Sequence, residues 1–210
     1  MNSINTHVNE LADRIHEMRA DYPRMMVAVC GAPASGKSTL AAEVARRLTS
    51  QKCSATVVPM DGFHLDNRLL ETRGVLGRKG APETFDADGF VHMVRRLRAG
   101  GKVAIPVFDR SRDIAIAGAE IVPAECDVIL VEGNYLLMKT EPWAQLGPLW
   151  DLTVMLDVPM ADLRGRLIHR WLSHGLSSPA ATRRAESNDI PNAQAVIDQS
   201  RAADITLCRD

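Results

Sequence analysis

The 210-residue chain has no apolar run long enough to span a bilayer, so no membrane insertion is expected. It has no C-x-x-C pair. Cys30, Cys53, Cys126 and Cys208 are scattered, which argues against a structural zinc site and for reduced, mostly buried thiols. It has no excess charge of one sign: the net charge is −1, so no global basic field draws it to nucleic acid or to an anionic membrane. Its first residues lack the basic-then-apolar pattern of a secretory leader, and together with the thiols this predicts a cytoplasmic location. There are no internal repeats, low-complexity tracts or linker-like stretches. With 46% hydrophobic and 24% charged residues, the chain reads as one globular domain over residues 1–210, able to bury a sizeable core.

What is present is sharper. Residues 31–38, GAPASGKS, fit G-x-x-x-x-G-K-[ST]. The pattern carries weight only between a strand and a helix, and its flanks supply both. MMVAVC at 25–30 is wholly apolar, as a buried parallel strand is. TLAAEVARRL at 39–48 then sets Leu40, Val44 and Leu48 on one helical face. The glycines let the backbone curl its N–H groups inward, and the helix N-terminus adds positive potential. The expected phosphate cradle is Gly31, Ala32, Pro33, Ala34, Ser35, Gly36, Lys37, Ser38 and Thr39. Lys37 can reach the outer phosphates and Ser38 can ligate magnesium.

Elsewhere, Ile4, Val8, Leu11, Ile15 and Met18 mark an N-terminal amphipathic helix ending near Tyr22-Pro23. Strands are expected at 55–60, 103–107, 127–131, 152–157 and 205–207. Residues 115–123 read as a hairpin or short edge strands around Gly118. Helices are expected around Phe90, Val94 and Leu97, over 160–174 and over 192–201. Strands alternating with helices imply an α/β fold whose parallel sheet is covered on both faces.

In such sheets ligands gather beyond the carboxyl ends of the strands. The strand at 55–60 delivers Asp61, which could accept a substrate proton, orient a hydroxyl, or simply serve as an Asp-Gly turn. His64 and Asp66 could bind substrate or cap the next helix. The strand at 127–131 delivers Glu132-Gly133; an acid ending a buried strand needs a partner, and magnesium suits it, the alternative being a surface turn carboxylate. On the helix at 160–174, Leu163, Leu167 and Trp171 should face protein, and Arg166, Arg170 and His174 form an adjacent stripe. Arginine donates in pairs to phosphate, so Arg166 or Arg170 is expected at the nucleotide or the transition state, the alternative being a solvated basic face; Arg164, Arg183 and Arg184 read as a solvated face. Segment 78–86, with Arg78, Lys79 and Asp86, either lines an acceptor pocket or is a solvated loop ending in an Asp cap, and 106–113, with Arg110, either lines the same pocket or is a solvated loop.

Four segments in order, GAPASGKST at 31–39, MDGFH at 60–64, RKGAPETFD at 78–86 and VEGNYLL at 131–137, give the chain a resemblance to a family. It resembles the uridine kinase, phosphoribulokinase and bacterial pantothenate kinase branch of P-loop kinases. With RWLSHGLS at 170–177, it is similar to small bacterial proteins named fructose-transport-system kinases or nucleoside/nucleotide kinases. The resemblance implies a P-loop NTPase three-layer α/β/α sandwich with a mostly parallel five-stranded sheet and a small helical lid at about 160–190. It implies transfer of the ATP γ-phosphoryl group, with Mg2+, to a hydroxyl of a sugar such as fructose, a nucleoside or a pantothenate-like alcohol. By position, Asp61 matches the proposed base, Glu132 the metal-side acid, Arg166 and Arg170 the lid arginines, and His64, Arg78, Lys79, Asp86 and Arg110 the acceptor segments. Asn188, Asp189 and Asn192 fall where base contacts occur in relatives. The alternative is an NTP hydrolase or nucleotide-binding regulator acting through a protein partner. The guanine-specific N-K-x-D and the L-S-G-G-Q signature are both absent. A homodimer is compatible with the sequence.

Overall fold

Apolar runs become strands because their alternate side chains find cover on two faces at once. In the computed structural model, which describes residues 3–208, these are β1 (Met25–Gly31), β2 (Ala55–Pro59), β5 (Val128–Gly133), β6 (Leu152–Asp157) and β7 (Ile205–Cys208), with β3 (Val103–Asp109) and β4 (Ile114–Val122) standing apart. The helices are α1 (Ser3–Met18), α2 (Lys37–Ser50), α3 (Asn67–Thr72), α4 (Ala87–Ala99), α5 (Met160–Ser173), α6 (Ser178–Arg184) and α7 (Ile190–Gln199). Met25, Val27 and Val29 of β1 join the core beneath α1 and α2. Met26, Ala28 and Cys30 join the core beneath α4. Each fully buried apolar side chain contributes roughly 1.5–3 kcal/mol. Val8, Leu11 and Ile15 of the N-terminal stripe are buried in the first of these cores; the side chain of Ile4 lies outside the described residues.

The main sheet has five strands in the order β2-β5-β1-β6-β7, and every pairing is parallel. The three-layer α/β/α sandwich expected from the sequence is therefore found. All five carboxyl ends lie at one edge. The chain leaves β1 toward β2 on one side, and leaves β5 for β6 on the other, so a crevice opens beyond β1 and β5. Among the described residues no helix is long and apolar enough to cross a membrane. Cys30, Cys53 and Cys126 are buried free thiols, and Cys208 is an exposed one.

The hairpin differs from expectation. Residues 103–107 do not join the main sheet; β3 pairs antiparallel with β4 alone. The turn lies at 110–113, not at Gly118. Asp109 builds it by accepting from the Ser111 and Arg112 backbone N–H groups at 2.9 and 3.2 Å. Gly118, at φ +63°, instead sits where the register shifts between Ile105 and Val107. That is a bulge, opposite Pro106, which has no N–H for the ladder.

Two contacts mount this hairpin on the sheet. At its foot the buried Arg24 guanidinium donates to the carbonyls of Leu97, Gly101, Pro123, Ala124 and Cys126 at 2.7–3.3 Å. Midway, the Pro106 carbonyl presses on Gly62; a Cβ there would lie 2.5 Å from the Pro106 oxygen. Glycine at 62 is what lets the hairpin approach the segment after β2.

Candidate active site

The segment between β1 and α2 curls because two of its residues take left-handed backbone conformations. Ala34 has φ +64° and Gly36 φ +97°, and Gly36 is the N-cap of α2. Lys37 and Ser38 open the helix, where the first-turn N–H groups have no partner within the helix. Helix α2 begins at Lys37, two residues before the expected start, so the motif's own Lys-Ser belongs to it.

A cleft of about 500 Å³ opens over this loop. It is lined by Pro33, Ala34 and Lys37 on one side and by Asp61, His64, Lys79 and Arg110 on the other. Arg170 and Trp171 close a third side. Strand β2 stops at Pro59, one residue early, and the chain enters a 3-10 turn (Met60–Phe63) that turns Asp61 inward. Its Oδ2 accepts from Arg110 Nη2 at 2.6 Å, and its Oδ1 lies 4.0 Å from His64 Nε2. His64 stacks on Phe85 with ring centroids 4.0 Å apart. Burial lowers its pKa to about 4, against the opposing pull of Asp61, so the ring is neutral at physiological pH.

Glu132, the penultimate residue of β5, pairs opposite Pro59 and is only 5% exposed. Burial raises its pKa; the nearby Lys37 charge and a hydrogen bond from the Ser38 side chain oppose the rise. The two expected metal-side residues are thus in contact. Among the described residues no group of three or more His, Cys, Asp or Glu could hold a metal ion by itself.

Lys79 is nearly buried. Its Nζ reaches Asp113 Oδ1 at 2.9 Å, the Asp113 carbonyl at 2.9 Å and Asn67 Oδ1 at 2.7 Å, and it sits 5.0 Å from the Phe108 ring centroid. Arg166 lies against the back of the loop, 3.5 Å from the Ala34 and Ser35 carbonyls. Arg170 faces the cleft beside the Trp171 ring at 5.9 Å.

Several expectations need correction. Asp86 is the N-cap of α4, accepting from the Gly89 N–H at 3.0 Å, and does not line the cleft. Arg78 pairs with Glu83 at 3.5 Å, also off the cleft wall. Trp171 does not pack inward with Leu163 and Leu167. It borders the cleft and donates to Asp189 Oδ2 at 2.5 Å. Arg184 is not on a solvated face; it lines the cleft, donates to the Gly77 carbonyl and sits 5.1 Å from the Trp171 ring centroid. Asp189 and Asn192 line the same cleft, and Asn188 donates to the Lys79 carbonyl at 2.9 Å, tying the π-helical turn (Ala185–Asp189) to the 79–85 loop. Sequence reasoning passed over Asn67 and Asn134, which also line the cleft, as does Asp113 at the end of the expected 106–113 segment. Asn134 had a usable signal, since it follows Glu132-Gly133 at a strand end.

Comparison with known proteins bears on the family and the fold. The profile of the Phosphoribulokinase / Uridine kinase family matches residues 26–206. The crystal structure of a candidate fructose transport system kinase from Silicibacter sp. TM1040 is 51% identical, with a TM-score of 0.91, covering 95% of this chain and 98% of that one. A candidate uridine kinase of Schizosaccharomyces pombe is 32% identical over 95% of this chain and 89% of its own length. An uncharacterized Escherichia coli protein, YggC, is 33% identical over 88% of this chain and 77% of its own. The match runs from β1 to β7, and with it the chain belongs to the Phosphoribulokinase / Uridine kinase family and is a P-loop kinase, a phosphotransferase with an alcohol group as acceptor.

Proposed function

We propose that this kinase transfers the γ-phosphoryl group of ATP to a hydroxyl of a small metabolite, a sugar such as fructose or a nucleoside, bound in the 500 Å³ cleft. One observation carries the reading. Lys37 at the phosphate loop and Asp61 beyond β2 line the same cleft, so a donor phosphate and a base candidate share one space. The candidate fructose transport and uridine kinases among its relatives support an alcohol acceptor.

The residues divide the work by position. The curled backbone of 31–38 and the α2 N-terminus hold the triphosphate, and Lys37 offsets charge on its outer phosphates. Asp61 takes the proton from the acceptor hydroxyl as its oxygen bonds to phosphorus and the bond to the ADP oxygen breaks. Its ion pair with Arg110 and its proximity to His64 fix the carboxylate's direction. Arg170, on the cleft wall, and Arg166, against the loop, offset charge spread over the transferring group. Ser38 and Glu132 would hold a magnesium ion, because a hard cation takes oxygen donors and a buried carboxylate beside a hydroxyl supplies them. Bound there, the ion would neutralise phosphate charge. We read residues 1–210 as one domain and about 160–190 as the lid.

The test is ADP release by purified protein with ATP and magnesium, across sugars, nucleosides and related alcohols. Release at least about tenfold above the water-only rate, about 1.4 kcal/mol of barrier, is expected for some alcohol. Equal release with and without every alcohol would instead make the protein a hydrolase.

A further inference from the structure

Resting on the kinase reading, we propose that the acceptor is an uncharged polyol, a free sugar or the ribose of a nucleoside, and that phosphorylated or carboxylated acceptors are rejected. The acceptor side of the cleft has already committed its cations. Lys79 is clamped by Asp113 and Asn67, with its side chain only 10% exposed. Arg110 is paired with Asp61 at 2.6 Å. Arg184 is held by the Gly77 carbonyl and the Trp171 ring. An incoming anion would have to break one of these arrangements and face the carboxylates of Asp61, Asp113 and Asp189 on the same walls. Of the remaining cations, Lys37 and Arg166 lie at the phosphate loop, where the triphosphate brings its own charge, and Arg170 lies on the third side beside Trp171.

What the walls still offer is uncharged. Among the described residues, Asn134 Oδ1 and His64 Nδ1 are buried polar atoms with no hydrogen-bond partner, and both residues line the cleft. The Asp61 carboxylate sits toward His64 Nε2, which favours the ring proton there and leaves Nδ1 an acceptor. Asn192, also on the wall, makes one long contact, 3.4 Å to Asn188. Two unsatisfied acceptors call for a ligand that donates. A hydroxyl donates and accepts; an ionised phosphate or carboxylate only accepts. Leaving a buried acceptor unpaired is costly, and a hydroxyl can pair with it where an anion cannot.

Matched pairs differing in charge test this: ribose and ribose 5-phosphate, fructose and fructose 6-phosphate, uridine and uridine 5′-phosphate. The neutral member is expected to have a kcat/KM at least about tenfold higher in the pair that turns over. The sugar and nucleoside arms distinguish the two sources of the same hydroxylated ring. Preference for the charged member in any pair overturns the proposal, and so does phosphorylation of no neutral member. Failure of the kinase reading looks different: ATP turnover would be insensitive to every pair. A second measurement needs no turnover. With a non-hydrolysable ATP analogue and magnesium bound, inorganic phosphate should add no further rise in Tm. A saturable rise that disappears in Arg110→Ala or Lys79→Met would reveal an anion site on the acceptor side and overturn the proposal.

Discussion

The two walls of the cleft are made of different material. The donor wall is backbone: a curled loop between a fully buried strand and a helix, held by sheet register and by the left-handed conformation of Gly36. The acceptor wall is side chain: Asp61 with Arg110, Lys79 with Asp113 and Asn67, carried on short turns and a hairpin tip. Arg110 is 60% exposed at its side chain and Asp113 54%. Each cation of these pairs already has a carboxylate partner, so a different acceptor calls for different side chains on this wall while the donor wall stays as it is. One scaffold can thus keep its phosphate chemistry constant while its acceptor wall changes.

The largest test of that contrast is Lys37→Ala. Losing the one lysine on the donor wall should lower kcat/KM about a thousandfold or more, on the order of 4 kcal/mol, read as ADP release. Full retained activity would remove the loop from the mechanism. Next, Asp61→Asn should lower kcat by roughly 10²–10⁴-fold while the KM for ATP stays within about twofold. If only the acceptor KM rose, Asp61 would be a binding residue and both walls would serve binding alone. A smaller effect is expected of Gly62→Ala. The new methyl would meet the Pro106 carbonyl at 2.5 Å and push the hairpin outward. The acceptor KM should rise several-fold and stability fall by roughly 1–3 kcal/mol, with ATP binding unchanged.

The smallest effect concerns acid. Burial holds the His64 pKa near 4, below its ordinary 6.5; Asp61 and Asp113 pull it upward, and Lys79 and Arg110 push it down. Between those two values the unfolded chain binds more protons than the folded one. The His64 contribution is therefore complete above pH 6.5 and is lost as pH falls toward 4, roughly 2 kcal/mol by pH 5. His64→Gln should flatten the fall in Tm between pH 7 and 5. An unchanged slope would assign that acid sensitivity to other groups.

The donor wall was legible in the sequence because its grammar is local: an apolar run, glycines, Lys-Ser, then helical spacing. Asp61 and Glu132 were legible by a second rule, that chemistry sits at strand ends. The acceptor wall was only partly so. Arg184 reaches the Gly77 carbonyl across 107 positions, and no periodicity records such a contact. Trp171 kept the spacing of Leu163 and Leu167 yet turned toward the cleft, because Asp189 offers its indole N–H an acceptor. Asp86 shared its segment with Lys79, but capping α4 claimed its carboxylate. Gly118 read as a turn because glycine serves turns and bulges equally; only the pairing partner, Pro106, separates the two.

The mounting of the hairpin has a practical consequence. Clamped at its foot by Arg24 and propped at Pro106 by Gly62, it brings its outer end to the cleft, which Phe108, Arg110 and Asp113 line. Residues 109–113 form a self-closed turn around Asp109 and include both Arg110 and Asp113. Grafting residues 110–113 from a kinase of different substrate preference is therefore expected to shift the acceptor preference, read as kcat/KM across alcohols, while leaving the five-stranded sheet untouched.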